Sequence, residues 1–64
     1  MKELDEVVIP FIIAEKAGVV RSGTIVWYVP DAVYATVECA ILADNPEGIK
    51  TRLIDVSISK LQPR

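Results

Sequence analysis

The segment "GTIVWYVPDAVYATVECAILA", residues 23–43, most constrains the fold, because it is strongly apolar and holds only two charged residues. It is as long as a membrane span, which needs about 20 apolar residues, but Pro30-Asp31 divides it near the middle and Glu38 lies further in. Both halves are rich in β-branched and aromatic residues, which favour strands, and Pro-Asp is a turn signal. The segment therefore predicts a β-hairpin with strands over residues 24–29 and 34–43.

The rest of the chain predicts three more strands and one helical turn. "LDEVVI" (residues 4–9) reads as a first strand ended by Pro10, and the break "DNPEGIK" (44–50) leads into a fourth strand over 50–56. "SISKL" then predicts one tight helical turn, and "LQPR" a very short edge strand in which Pro63 is tolerated.

The segment between the first two strands, residues 11–22, is the hardest to interpret. A helical turn capped by Gly18 is one reading, and a long loop over the core is the other. We expect the loop, because no good N-cap residue precedes the segment and Ile12-Ile13 disfavours a short isolated helix.

Five strands in about sixty residues, with a helical turn before the last, are the layout of a small all-β SH3-like barrel. The motifs "LDEVV", "SGTIV", "VPDAVYATVE" and "ISKLQP" resemble a family of small bacterial SH3-like proteins with no assigned activity, whose pattern is DVV, GTVV, PDG, YxVE and LxP. The resemblance covers most of the chain and implies a single domain over residues 1–64. Ala32 replaces the usual turn glycine, and Trp27 stands where a polar residue is common.

That family resemblance implies a role without catalysis, as a regulatory or neutralising partner of another protein, one encoded in the same operon being the natural candidate. The residues agree with it, because the chain has no histidine to serve a nucleophile and Cys39 reads as a core thiol. The carboxylates of Asp5, Glu6, Glu38 and Asp55 read as surface charges. The sequence thus predicts no catalytic, cofactor-binding or metal-binding residue.

The small size of the chain points to self-association. A 64-residue domain buries too little surface for high stability on its own, and a lone cysteine excludes an internal disulfide. Yet 52% of the residues are hydrophobic. With no apparent signal peptide and a single reduced thiol, we expect a cytoplasmic homo-oligomer that does not enter a membrane.

Strand alternation predicts where the copies meet. Ala35, Val37, Cys39 and Ile41 share the inner face of the third strand, whereas both faces of the second strand are apolar. We expect an exposed apolar patch of the kind that marks interaction sites, formed by Ile25, Trp27, Val29, Ala40 and Leu42. The alternative for Trp27 is that it covers the core beneath residues 11–13.

Two other functions stay open. A nucleic-acid-binding barrel would use Arg21, Lys50 and Arg52, although the net charge of −2 argues against it. An oligomeric enzyme with its site between subunits is the other. "GTIVWYV" loosely resembles a strand of the type II dihydrofolate reductases, but "TRLIDVS" stands where that family has its pore motif V-Q-I-Y.

Overall fold

The computed structural model describes residues 2–42 and 50–64, so the break predicted at 44–50 lies almost wholly outside the described residues. The described chain forms five strands, a short α-helix and one turn of 3-10 helix. The elements in chain order are β1 (Glu6–Val8), α1 (Phe11–Ala17), β2 (Val19–Trp27), β3 (Tyr34–Ile41), β4 (Thr51–Ser57), the 3-10 helix (Ile58–Lys60) and β5 (Gln62–Pro63).

All five strands belong to one antiparallel sheet in the order β4-β3-β2-β1-β5. This confirms the all-β class, the hairpin β2–β3 and the helical turn before the last strand. Within the described residues β4 and β5 do not pair with each other, so the sheet is open and has two edges.

The predicted loop after β1 is wrong, because residues 11–17 form helix α1. The helix ends at Gly18, which adopts the left-handed conformation (φ 71°, ψ 34°) and donates its N–H to the carbonyls of Ala14 and Glu15. No side chain caps its first turn, as the sequence predicted. Burial of Ala14 in the core provides the tertiary packing that a helix this short requires.

Two arginine side chains hold the ends of α1. Arg21 Nε donates to the carbonyl of Ile9, just before the helix, at 3.3 Å. Arg52 Nη1 donates to the carbonyl of Ala17, the last helical residue, at 2.6 Å. The second contact places a cation at the negative end of the helix, where the helix dipole favours it.

The core lies between the inner face of the sheet, α1 and the 3-10 helix, and it contains only small and aliphatic side chains. Its buried members are Val7, Ile9, Ala14, Val19, Ile25, Ala35, Val37, Cys39, Val56 and Leu61. Ile41 is partly buried against them, so the predicted inner face of β3 is confirmed.

Strand β2 begins at Val19, five residues before its predicted start, and it is irregular at two points. The register with β3 shifts between Val19 and Gly23 and again between Ile25 and Trp27. At the second shift Ile25 faces Val37 while Trp27 faces its neighbour Thr36, which leaves Val26 as the extra residue of a β-bulge. Ile25 and Trp27 therefore point to opposite sides of the sheet.

Candidate interaction surface

Most of the aromatic side chains lie outside the core. The chain has four aromatic residues; Phe11, Trp27 and Tyr34 are exposed, and Tyr28 is partly buried against the core. Aromatic residues carry the largest apolar areas and usually dominate cores and interfaces. Their exposure here identifies the surface on which they lie as the candidate site.

The face of the sheet opposite the core, called the outer face below, follows from the strand register. Thr24 on β2 lies opposite Glu38 on β3, which in turn lies opposite Leu53 on β4. In the same way, Trp27 lies opposite Thr36, and Thr36 lies opposite Asp55. Opposite residues in a sheet point to the same side. The outer face therefore comprises Glu6, Val8, Ser22, Thr24, Trp27, Tyr34, Thr36, Glu38, Ala40, Thr51, Leu53, Asp55 and Ser57.

Trp27 and Tyr34 are diagonal neighbours on this outer face. Trp27 is opposite Thr36, and Tyr34 stands two residues from Thr36 on the same side of β3, a spacing of roughly 7–8 Å that aromatic side chains bridge. Their exposed fractions are 48% and 57%, and Leu53 on β4 is 60% exposed. Val29 and Val33, also exposed, extend the apolar surface into the β2–β3 connection.

Two of the three acidic side chains of the outer face are hydrogen-bonded to threonines, and the third, Glu6, lies 3.8 Å from Arg64 Nη1. Thr36 Oγ1 donates to Asp55 Oδ1 at 2.7 Å, and Thr51 Oγ1 donates to Glu38 Oε2 at 3.5 Å. These cross-strand contacts hold the carboxylates close to the sheet. Both carboxylates therefore have partners within the sheet, beside the exposed Trp27 and Tyr34 side chains.

The structure divides the five residues of the predicted apolar patch. Ile25 is the correction: it is 0% exposed and belongs to the core, because the bulge after it reverses the side on which Trp27 emerges. Trp27 and Val29 are exposed, and Trp27 is a diagonal neighbour of Tyr34. Ala40 is exposed on the outer face, but Thr36 and Glu38 separate it from Trp27 along β3.

Leu42 belongs to a second apolar surface. It lines a groove of about 400 Å³ between α1 and β2 with Phe11, Ala14, Glu15, Val19, Val20 and Arg21. The N–H of Leu42 donates to the carbonyl of Gly18 at 3.0 Å, which draws the end of β3 toward the end of the helix. Trp27 is not among the residues that line this groove.

Sequence reasoning left Tyr34 and Leu53 out of the predicted apolar patch, although both are exposed on the outer face. Both were visible in the alternation of their strands, since Tyr34 falls on the side of Glu38 and Leu53 on the side of Asp55. The signal was overlooked because Ile25, Trp27 and Val29 look like one face when the strand is read without a bulge.

The three basic residues of the nucleic-acid alternative lie on different elements. Arg21 on β2 and Arg52 on β4 each donate to a backbone carbonyl at one end of α1, whereas Lys50 is exposed just before β4. Part of the hydrogen-bonding capacity of both arginines is thus used inside the fold.

Cys39 lies in the core beneath the sheet. Burial raises the pKa of its thiol, and the neighbouring Glu38 carboxylate raises it further. Only the thiolate is an effective nucleophile, so this environment keeps Cys39 in its unreactive form at neutral pH.

Over residues 2–42 and 50–64, no three His, Cys, Asp or Glu side chains lie together as a metal site would need, and no helix has the length and apolarity to cross a membrane. Comparison with known proteins gives no significant match to a family model, to a curated protein or to a solved structure.

Proposed function

We propose that the protein is a non-enzymatic binding module that self-associates through the outer face of its sheet. One observation carries the proposal: Trp27 and Tyr34 are neighbours on an exposed face, and neither contributes to the core. Tryptophan and tyrosine are among the residues that dominate binding energy at protein interfaces. A small chain that leaves them in water gives up the packing energy they would add to its own core.

The proposed partner on this face is a second copy of the chain. The core holds no aromatic side chain among its ten buried members, so a partner is the natural source of further apolar burial for a domain of this size. An interface with two-fold symmetry brings the same patch together from both sides. Trp27 and Tyr34 suit such a contact, since aromatic rings stack on one another in offset or edge-to-face pairs.

The charge of the chain is compatible with this contact. Two copies with a net charge of −2 repel each other weakly, so their contact must avoid free carboxylates. On the outer face Glu38 and Asp55 already accept hydrogen bonds from Thr51 and Thr36. Trp27 and Tyr34 then supply an apolar contact beside paired acidic groups.

The proposal includes an SH3-like barrel fold and a cytoplasmic location. The strand order β4-β3-β2-β1-β5 and the 3-10 helix between β4 and β5 support the first. A single buried thiol, Cys39, supports the second, because reduced cysteines are typical of the cytoplasm.

Light scattering coupled to size-exclusion chromatography tests the proposal on the wild type and on Trp27→Glu. We expect the wild type to exceed the 7.0 kDa of one chain and Trp27→Glu to fall to a smaller, folded species. Ile12→Glu is the matched control, because Ile12 is at least as exposed as Trp27 but lies on α1. A wild type with the mass of one chain, or a folded Trp27→Glu with unchanged mass, would refute self-association through this face.

A further inference from the structure

The two edges of the sheet differ in how well they are protected. At one edge β5 has only two residues, and one of them is Pro63, which has no N–H to offer. Short strands and proline are common protections against edge-to-edge pairing. At the other edge β4 runs for seven residues, contains no proline, and exposes Leu53.

The backbone of β4 alternates between its neighbour and the open edge. The N–H of Ile41 donates to the carbonyl of Lys50 at 3.0 Å, and the N–H of Ile58 donates to the carbonyl of Val33 at 2.8 Å. Both bonds follow the β3–β4 register. In an antiparallel pair, hydrogen-bonded positions alternate along each strand. The even-numbered residues of β4 therefore bond to β3, and the odd-numbered residues direct their N–H and C=O groups away from it.

The odd-numbered residues Thr51, Leu53 and Asp55 thus present unpaired backbone groups at the edge, and none of these groups has a backbone partner among the residues the structure describes. Their side chains lie on the outer face. A strand with a free edge and an exposed leucine is a template for the addition of another strand.

We infer that β4 pairs antiparallel with β4 of a second copy, about a two-fold axis at Leu53. In this register Leu53 faces Leu53 of the partner subunit, and each Thr51 faces the partner's Asp55. Each facing pair exchanges two backbone hydrogen bonds. The inference goes beyond the proposed function, because it uses the sheet edge rather than the outer face.

Side-chain complementarity selects this register from those that the backbone permits. Pairing centred on Asp55 sets two carboxylates directly opposite each other, which destabilises a sheet. Pairing centred on Ile54 sets Leu53 against Asp55. Pairing centred on Leu53 sets leucine against leucine and a threonine hydroxyl against a carboxylate, and it places no like charges in opposition along residues 51–55.

Because residues opposite each other point to the same side of a sheet, this dimer displays both outer faces on one side. Trp27 and Tyr34 of each copy then belong to one continuous ten-stranded surface. Such a dimer retains its outer face for the contact proposed above.

Charge variants at Leu53 test the inference. In the predicted register Leu53→Lys and Leu53→Glu each oppose their own charge across the axis, so each variant alone should have half the wild-type mass by light scattering. Their equimolar mixture should regain the wild-type mass, because lysine then faces glutamate. Both variants should fold, since Leu53 is exposed and its backbone groups point away from β3. The matched pair Ile12→Lys and Ile12→Glu should keep the wild-type mass.

The recovery of mass in the mixture of Leu53→Lys and Leu53→Glu separates this inference from the proposed function, because Leu53 also lies on the outer face and a single charge there weakens either contact. If Leu53→Lys keeps the wild-type mass, or if the mixture does not recover it, edge pairing centred on Leu53 is wrong. Pairing centred on Ile54 would show itself in this way, because lysine at position 53 would then meet Asp55 of the partner subunit and strengthen the contact. If Trp27→Glu lowers the mass and Leu53→Lys does not, the outer-face contact is supported and the edge contact is wrong. If Leu53→Lys lowers the mass and Trp27→Glu does not, the edge contact is supported and the outer-face contact is wrong. A wild type with the mass of one chain overturns both.

Discussion

Gly23 lies directly opposite Cys39 across the β2–β3 ladder, and the space between the two strands has no room for a side chain at the glycine. A Cβ atom at Gly23 would stand 2.5 Å from the carbonyl oxygen of Glu38, 2.6 Å from Val37 Cγ1 and 2.7 Å from Cys39 Sγ. This close approach, and not an unusual backbone conformation, explains the glycine that begins the most apolar segment of the sequence.

Gly23→Ala is expected to destabilise the fold by about 3 kcal/mol, at the upper end of overpacking costs, because one of the obstructing atoms belongs to the backbone. Urea-induced unfolding followed by far-ultraviolet circular dichroism measures the loss. Gly18→Ala is the control. There φ is 71° and no atom lies within 4 Å of the added methyl group, so only the left-handed backbone penalty of about 1 kcal/mol applies. Equal losses in the two variants would argue against the close approach.

Cys39 should make stability depend on pH in the alkaline range. Burial raises the pKa of its thiol in the folded state, so its contribution is complete below the unfolded thiol pKa of about 8.5 and is lost as pH rises through the raised folded pKa. The free energy of unfolding of the wild type should therefore fall more steeply above about pH 8.5 than that of Cys39→Ala. Parallel curves for the two proteins would contradict the burial of this thiol.

Arg52→Met should loosen helix α1 while leaving the sheet intact. The change removes the hydrogen bond to the carbonyl of Ala17 and should cost about 1 kcal/mol. Faster hydrogen exchange at the N–H of Gly18, which closes the same helix end, is the direct readout. Arg64→Met is the control, because the Arg64 side chain forms an exposed ion pair with Glu6 at 3.8 Å, a type of contact that contributes little. Similar exchange rates in both variants would mean that Arg52 does not hold the helix.

Trp27 should report assembly by its own fluorescence, since it is the only tryptophan. Dilution of the wild type should shift its emission to longer wavelength as the indole passes from a partner's surface into water. Ile12→Glu should show the same shift over the same concentrations. An emission maximum that stays constant while light scattering reports dissociation would place Trp27 outside the contact.

The strands were predictable because their signals are local. β3 and β4 were placed to within two residues at each end, since dense β-branched residues and turn signals bound them. Helix α1 was missed because its stability is not local: it depends on Ala14 packing into the core and on Arg52, which is remote in sequence. Intrinsic propensity alone does not contain such contacts.

The exposed apolar residues of the outer face were half predictable for a similar reason. Alternation correctly separates Cys39 from Glu38 on β3, because that strand is regular. On β2 the bulge between Ile25 and Trp27 inserts one residue, and one extra residue exchanges the two faces for everything beyond it. No residue near Val26 announces the bulge, so Ile25 was placed outside although it belongs to the core.

The alternation of β4 has a consequence for how substitutions in it are tolerated. Even-numbered positions such as Ile54 and Val56 bond to β3 and pack inward, so a harmful change there lowers the amount of folded protein in a cell. At Leu53, an odd-numbered position, a change leaves the folded chain intact and alters only the inferred contact with a second copy. A survey of variants scored by cellular abundance would therefore record position 53 as neutral, and only an assay of assembly would detect the contact inferred at this edge.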